Sequence, residues 1–112
     1  MVLWASDSER SYAVLDQLQR IYTTHPGRDS VAFLNVNLSD DVPTVKAIWE
    51  KRGYQCLQAV ATSAEAAALK TKLGVETLPS VILLDREGFV IERDLRGERL
   101  KSVVERAFGL RY

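Results

Sequence analysis

The chain has 112 residues, 46% of them hydrophobic and 27% charged, an ordinary globular composition with enough length for one buried core and too little for two. Fifteen basic and fifteen acidic residues cancel to a net charge of zero, which removes the electrostatic case for nucleic acid or an anionic membrane surface as partner. One cysteine, Cys56, and one histidine, His25, exclude an internal disulfide, a multi-cysteine metal site and paired-histidine zinc chemistry, and no cofactor is implied.

In chain order, Val2-Leu3-Trp4 reads as a short hydrophobic strand with no basic region or cleavage site before it. Ser6-Asp7-Ser8-Glu9 has capping-box spacing and predicts a helix from near Asp7, with Val14, Leu15, Leu18, Ile21 and Tyr22 recurring at helical intervals. Pro26-Gly27 ends that helix. Val31 to Leu38 (VAFLNVNL) predicts a strand, and Pro43 to Arg52 a second helix with Val45, Ile48 and Trp49 inward and Gly53 as its stop. Tyr54 to Val60 is short and mixed, in keeping with a brief edge strand.

Thr62-Ser63-Ala64-Glu65 repeats the capping-box spacing and opens an alanine-rich helix that stops at Gly74. Ser80 to Asp85 reads as a fully buried strand. It holds the longest aliphatic run, Val81 to Leu84, far short of a membrane span, so this segment predicts no membrane insertion. Arg86-Glu87-Gly88 is a turn, Phe89 to Leu95 the return strand, and Glu98 to Phe108 a closing helix. The pattern predicts an α/β sandwich with a mixed central sheet of about four strands flanked by helices, the first two strands parallel, in a single domain over 1–112.

That order, with Leu78-Pro79 before the third core strand, resembles the thioredoxin fold, and within it the thiol-disulfide oxidoreductases of the TlpA/ResA type. Leu3-Trp4-Ala5-Ser6 resembles that family's F-W-A-x-W-C-x-x-C strand end. Gly74-Val75-Glu76-Thr77-Leu78-Pro79-Ser80 resembles its G-V-x-x-x-P-[ST] segment, and Asp85-Arg86-Glu87-Gly88 its D-x-x-G hairpin. The resemblance implies that Ser8 and Ser11 stand where the attacking and resolving cysteines would be, an S-x-x-S in place of C-x-x-C. It places Glu9-Arg10 between them, Pro79 at the cis-proline, and Leu38 near an acid that some members carry. It also implies that the family's N-terminal hairpin is lacking, and it points to the periplasm or cell envelope.

Serine cannot form a disulfide, and a serine nucleophile needs a base in contact. His25 lies beyond the far end of the first helix, on the order of 25 Å away at 1.5 Å per residue. Ser6, Asp7 and Ser8 are therefore expected to cap the helix. Trp4 and Trp49 are expected in the core, and His25, Arg28-Asp29 and Glu50-Lys51-Arg52 in solvent. The first expectation for function is a redox-inactive binding or structural module within a larger envelope protein. Its groove, beside Pro79, would be formed by Trp4, Asp7, Glu9, Arg10, Leu78 and Pro79. The client expected there is an extended peptide or protein segment, basic opposite Asp7 and Glu9. The alternative is a thiol-disulfide or peroxide-reacting enzyme using Cys56 alone. Nothing in the pattern sets an oligomeric state.

Overall fold

The computed structural model describes residues 1–24 and 32–109. The expected loop features His25, Pro26-Gly27, Arg28-Asp29 and the first residue of the VAFLNVNL strand lie outside the described residues. In order, the elements are β1 (Val2–Trp4), α1 (Glu9–Thr24), β2 (Leu34–Asn37), α2 (Val42–Arg52), β3 (Leu57–Val60), α3 (Ser63–Leu73), β4 (Ser80–Val81), β5 (Leu83–Leu84), β6 (Val90–Glu92) and α4 (Gly97–Gly109). Four strands form a mixed sheet in the order β3-β2-β1-β4. β2 runs parallel to β1 on one side and to β3 on the other, and β4 runs antiparallel to β1.

The strand expected over Ser80 to Asp85 is divided. Ser80 and Val81 pair with Leu3 and Val2 of β1. Leu83 and Leu84 pair instead with Glu92 and Val90 of β6, with a register shift between them. That shift leaves Ile91 as an extra residue in β6, a bulge that bends the ladder away from the main sheet. Leu83 and Leu84 are half-buried, so the strand is not buried throughout. The return strand is shorter than expected for the same reason, although Leu95 still donates its N–H to the Val81 carbonyl at 3.3 Å.

β1 carries both cores, because alternate side chains of a strand face opposite sides of the sheet. Val2 and Trp4 join Leu15, Leu18 and Ile21 of α1, Val45 of α2 and Leu100, Val103 and Val104 of α4. Leu3 faces the other way and joins Val36, Leu38 and Ala66 of α3. Trp4 stacks at 5.9 Å on Trp49 of α2, and Trp49 in turn meets Tyr54 edge-on at 4.7 Å. Trp4 is thus packed in the interior, as its position in the strand suggests, while Trp49 is half-buried against the same core. Arg52 is exposed, as expected, and also reaches across to α1: its guanidinium lies 4.0 Å above the Tyr12 ring and 3.5 Å from Asp16. It ties α2 to α1 across the edge of the aromatic cluster.

Candidate functional site

The turn from β1 into α1 is built from hydroxyls. Ser8 is the residue before the first helical position, and its Oγ accepts from the Ser11 N–H at 3.3 Å. This is N-cap geometry, two residues later than the capping box read from Ser6 to Glu9. Ser6 is held elsewhere. Its N–H and its hydroxyl donate to the two carboxylate oxygens of Asp40 at 2.9 and 2.6 Å, and the Asn37 amide donates to Asp40 at 2.6 Å. Partial burial would raise the Asp40 pKa, but the hydrogen bonds from Ser6 and Asn37 outweigh it and hold the carboxyl below its usual range. Asp7 is exposed and makes no such contact.

Ser11 is fully buried in the first turn of α1, and its Oγ accepts from the Ala5 N–H at 3.4 Å. Each serine therefore completes the local backbone, Ser8 at the helix start and Ser11 beneath it. The position compared with the family acid, Leu38, is a buried core residue. The nearby carboxylate is that of Asp40, and it is directed at Ser6.

Beside Pro79 lies a cleft of about 730 Å³. One wall is a face of α1 carrying Arg10 and Val14; another is the Leu78-Pro79 segment; the third is the loop from β6 to α4, with Arg93 and Arg96. The Leu78–Pro79 peptide bond is cis. Leu78 also packs against the second core, so it both closes the cleft floor and anchors it. Arg93 is braced by donating to the Leu73 carbonyl at the end of α3.

Of the six residues expected to form a groove, the structure brings three together: Arg10, Leu78 and Pro79. Trp4 is corrected. It has no exposed surface, and its indole N–H donates to Gln58 Oε1 at 3.1 Å, because its place on β1 points it into the core. Asp7 and Glu9 are exposed but lie outside the cleft lining: Asp7 sits in the turn before α1, and the helix turns Glu9 away from the face that carries Arg10 and Val14. The charge lining is thus Arg10, Arg93 and Arg96 against Glu76 and Asp94. The basis for a basic client is gone. Sequence reasoning missed the β6–α4 loop, whose only local signal is Arg93-Asp94-Leu95-Arg96-Gly97 leading out of a hairpin.

Cys56 sits just before β3, only 8% exposed, with its carbonyl accepting from the Trp49 indole at 3.0 Å. Burial pushes its thiol up to about 11. Its Sγ lies 3.8 Å from Gln19 Oε1, and among the described residues no cation stands by to stabilise a thiolate. Among the described residues no group of His, Cys, Asp and Glu could hold a metal ion, and no helix is long and apolar enough to cross a membrane.

No protein-family model and no curated protein matches the sequence. Solved structures do. The chain superposes with a TM-score of 0.83 and 22% identity on the C-terminal domain of a protein assigned as a thiol-disulfide oxidoreductase from Bacteroides thetaiotaomicron, over 97% of this chain and 75% of that one. It matches the thioredoxin domain of a thiol-disulfide oxidoreductase from Bacteroides vulgatus with a TM-score of 0.77 and 18% identity, over 94% and 74%. A thiol-disulfide oxidoreductase from Bacteroides fragilis gives 0.71 and 24%, over 94% and 77%. The chain has the thioredoxin-like α/β fold.

Proposed function

We propose that the chain is a binding module of the thiol-disulfide oxidoreductase type that has lost its dithiol and holds an extended segment of another polypeptide in the cleft beside Pro79. The observation that carries this reading is the cleft itself. About 730 Å³ of open space lies against the Leu78-Pro79 segment and the face of α1 that carries Arg10 and Val14. Docking of an extended chain depends on main-chain hydrogen bonds and side-chain pockets and requires no sulfur. Three arginines against two acids favour a segment of acidic character. A place inside a larger envelope protein is part of the same proposal.

Turnover by a serine has no support at this turn. Ser8 Oγ is occupied as a cap and Ser11 Oγ is buried under Ala5, with no base on either. Chemistry by Cys56 alone is disfavoured by its burial and its raised pKa. Dithiothreitol-driven insulin reduction separates the readings. Wild type is expected to be silent, Cys56→Ser to be equally silent, and Ser8→Cys/Ser11→Cys to gain activity. Wild-type turnover abolished by Cys56→Ser would make Cys56 the site and end the present reading.

Binding is tested by fluorescence anisotropy with two labelled peptides of equal length, one alternating Glu with Val and one alternating Lys with Val. The acidic peptide should bind several-fold more tightly. Arg10→Glu, at an exposed position, should remove that preference, and Leu78→Arg should block both peptides while retaining a cooperative melt. A Leu78→Arg protein that binds as wild type would refute the groove.

A further inference from the structure

The cleft beside Pro79 is closed at one end. Arg10, Ala13, Val14 and Gln17 recur at helical spacing along one face of α1, and all four line it. Opposite them runs the loop from β6 to α4, which two hydrogen bonds tie to the rest of the molecule. The Leu95 N–H donates to the Val81 carbonyl of β4 at 3.3 Å and holds the loop to the cleft floor. The Gln17 side-chain amide donates to the Gly97 carbonyl at 2.9 Å and joins the loop to α1. Both members of each pair line the cleft, so its walls meet at the Gln17 end. At the Arg10 end, among the described residues, no hydrogen bond joins the first turn of α1 to Thr77-Leu78-Pro79.

The space between the two ends is short. Seven positions of α1 separate Arg10 from Gln17. At 1.5 Å per residue that is about 10 Å, the reach of about three residues of extended chain. A polypeptide cannot run through a cleft whose far end is closed; it can only end there.

The charges on the walls select which end. Among the described residues, Arg52 and Arg99 are paired with Asp16 and Glu92. None of the three cleft arginines has a carboxylate within ion-pair distance, although Glu76 and Asp94 share the lining. Three guanidiniums against two carboxylates leave one positive charge. Arg93 is held on the Leu73 carbonyl. Arg96 stands next in the chain to Gly97, at the closed end, and its guanidinium is not engaged by any described residue.

We propose that the polypeptide held beside Pro79 enters by its C-terminus, with the terminal carboxylate on the Arg96 guanidinium. This rests on the reading of the cleft as a peptide groove and adds which part of a partner the groove takes. The last three residues would lie between α1 and the β6–α4 loop. Val14, Val75 and Leu78, each half-buried and lining the space, offer their side chains apolar walls. A guanidinium fits a carboxylate with two parallel hydrogen bonds, a match that a chain amide does not offer. An N-terminal ammonium would instead meet Arg96 as a like charge, and an internal loop would need both ends of the cleft open.

Fluorescence anisotropy with peptides that alternate Ser with Val, labelled at the N-terminus with tetramethylrhodamine, tests this. One peptide ends in a free carboxylate and the second in an amide. The third is an amide with Glu at an internal position, so that its charge equals that of the first. The free acid should bind several-fold more tightly than either amide. Arg96→Gln, at an exposed position, should remove that advantage. Arg20→Gln, which deletes the same charge from α1 outside the cleft, should keep it. An internal Glu that serves as well as the free terminus would show that the arginines read charge and not a chain end, and would overturn the inference. The groove is read separately with the Glu-Val peptide in its amidated form. If that peptide binds and Leu78→Arg blocks it, while the free acid and amide of the Ser-Val peptide bind alike, the groove stands and the C-terminal inference falls. If no peptide binds, the groove reading fails and takes this inference with it.

Discussion

At the scale of single residues, burial decides what the chemistry-bearing side chains can do. Cys56 has no charged neighbour in sequence, and the structure adds that it is enclosed by Trp49 and Gln19. With its pKa pushed up from 9.0 to about 11, the folded state holds the thiol proton more tightly than the unfolded chain does. Its contribution to stability is therefore complete below pH 9 and is lost as pH rises toward 11. At pH 8 only about one thiol in a thousand is ionised in the native state, against about one in ten in the unfolded chain. Alkylation with iodoacetamide in native buffer should be roughly a hundredfold slower than in denaturant, and should quicken about tenfold per pH unit up to the native pKa. Fast native labelling at neutral pH would contradict the burial and revive the thiol enzyme. The serines follow the same logic: Ser11 is legible as a polar residue, but only the fold shows that it is buried and bonded to Ala5.

At the scale of elements, caps and stops were the most legible signals. Gly53 and Gly74 end α2 and α3, as read, at φ values of 67° and 66°, whereas the Asp41 cap of α2, whose side chain accepts from the Thr44 N–H, was not read. The capping box of α3 is complete: Thr62 Oγ1 accepts from the Glu65 N–H at 3.2 Å, and the Glu65 carboxylate accepts from the Thr62 N–H at 2.9 Å. Thr62→Ala should cost about 1 kcal/mol. Thermal unfolding followed by circular dichroism should then shift down by roughly 4 °C, and an unchanged midpoint would mean that the box carries no net stability. The same spacing at Ser6 to Glu9 misled, because Asp40 reaches across from the end of β2 and takes Ser6 for itself, leaving Ser8 to cap. Spacing along the chain cannot show such a competitor. The divided strand over Ser80 to Leu84 has a similar origin, since the bulge at Ile91 belongs to the partner strand.

At the scale of the whole molecule, β1 is three residues long and yet supports both layers of the sandwich. The sequence order of strands and helices made that architecture readable, together with the Pro79 segment. The cleft was only half readable, because one of its walls is a loop that reaches Pro79 through tertiary packing. The dependence on β1 makes a prediction about cooperativity. Leu3 serves the α3 side, whereas both tryptophans lie on the side of α1 and α2. Leu3→Ala should cost roughly 2–5 kcal/mol, because it opens a cavity where a fully buried side chain stood. If 1–112 is one cooperative domain, tryptophan fluorescence must register that loss although neither indole touches the α3 layer. The expected result is that the fluorescence and circular dichroism midpoints fall together. A fluorescence midpoint that stays at its wild-type value while helix signal melts early would mean that the two faces of the sheet unfold as separate units. The strand they share would then be a hinge between them, because Val2 and Trp4 would keep their partners while Leu3 loses its own.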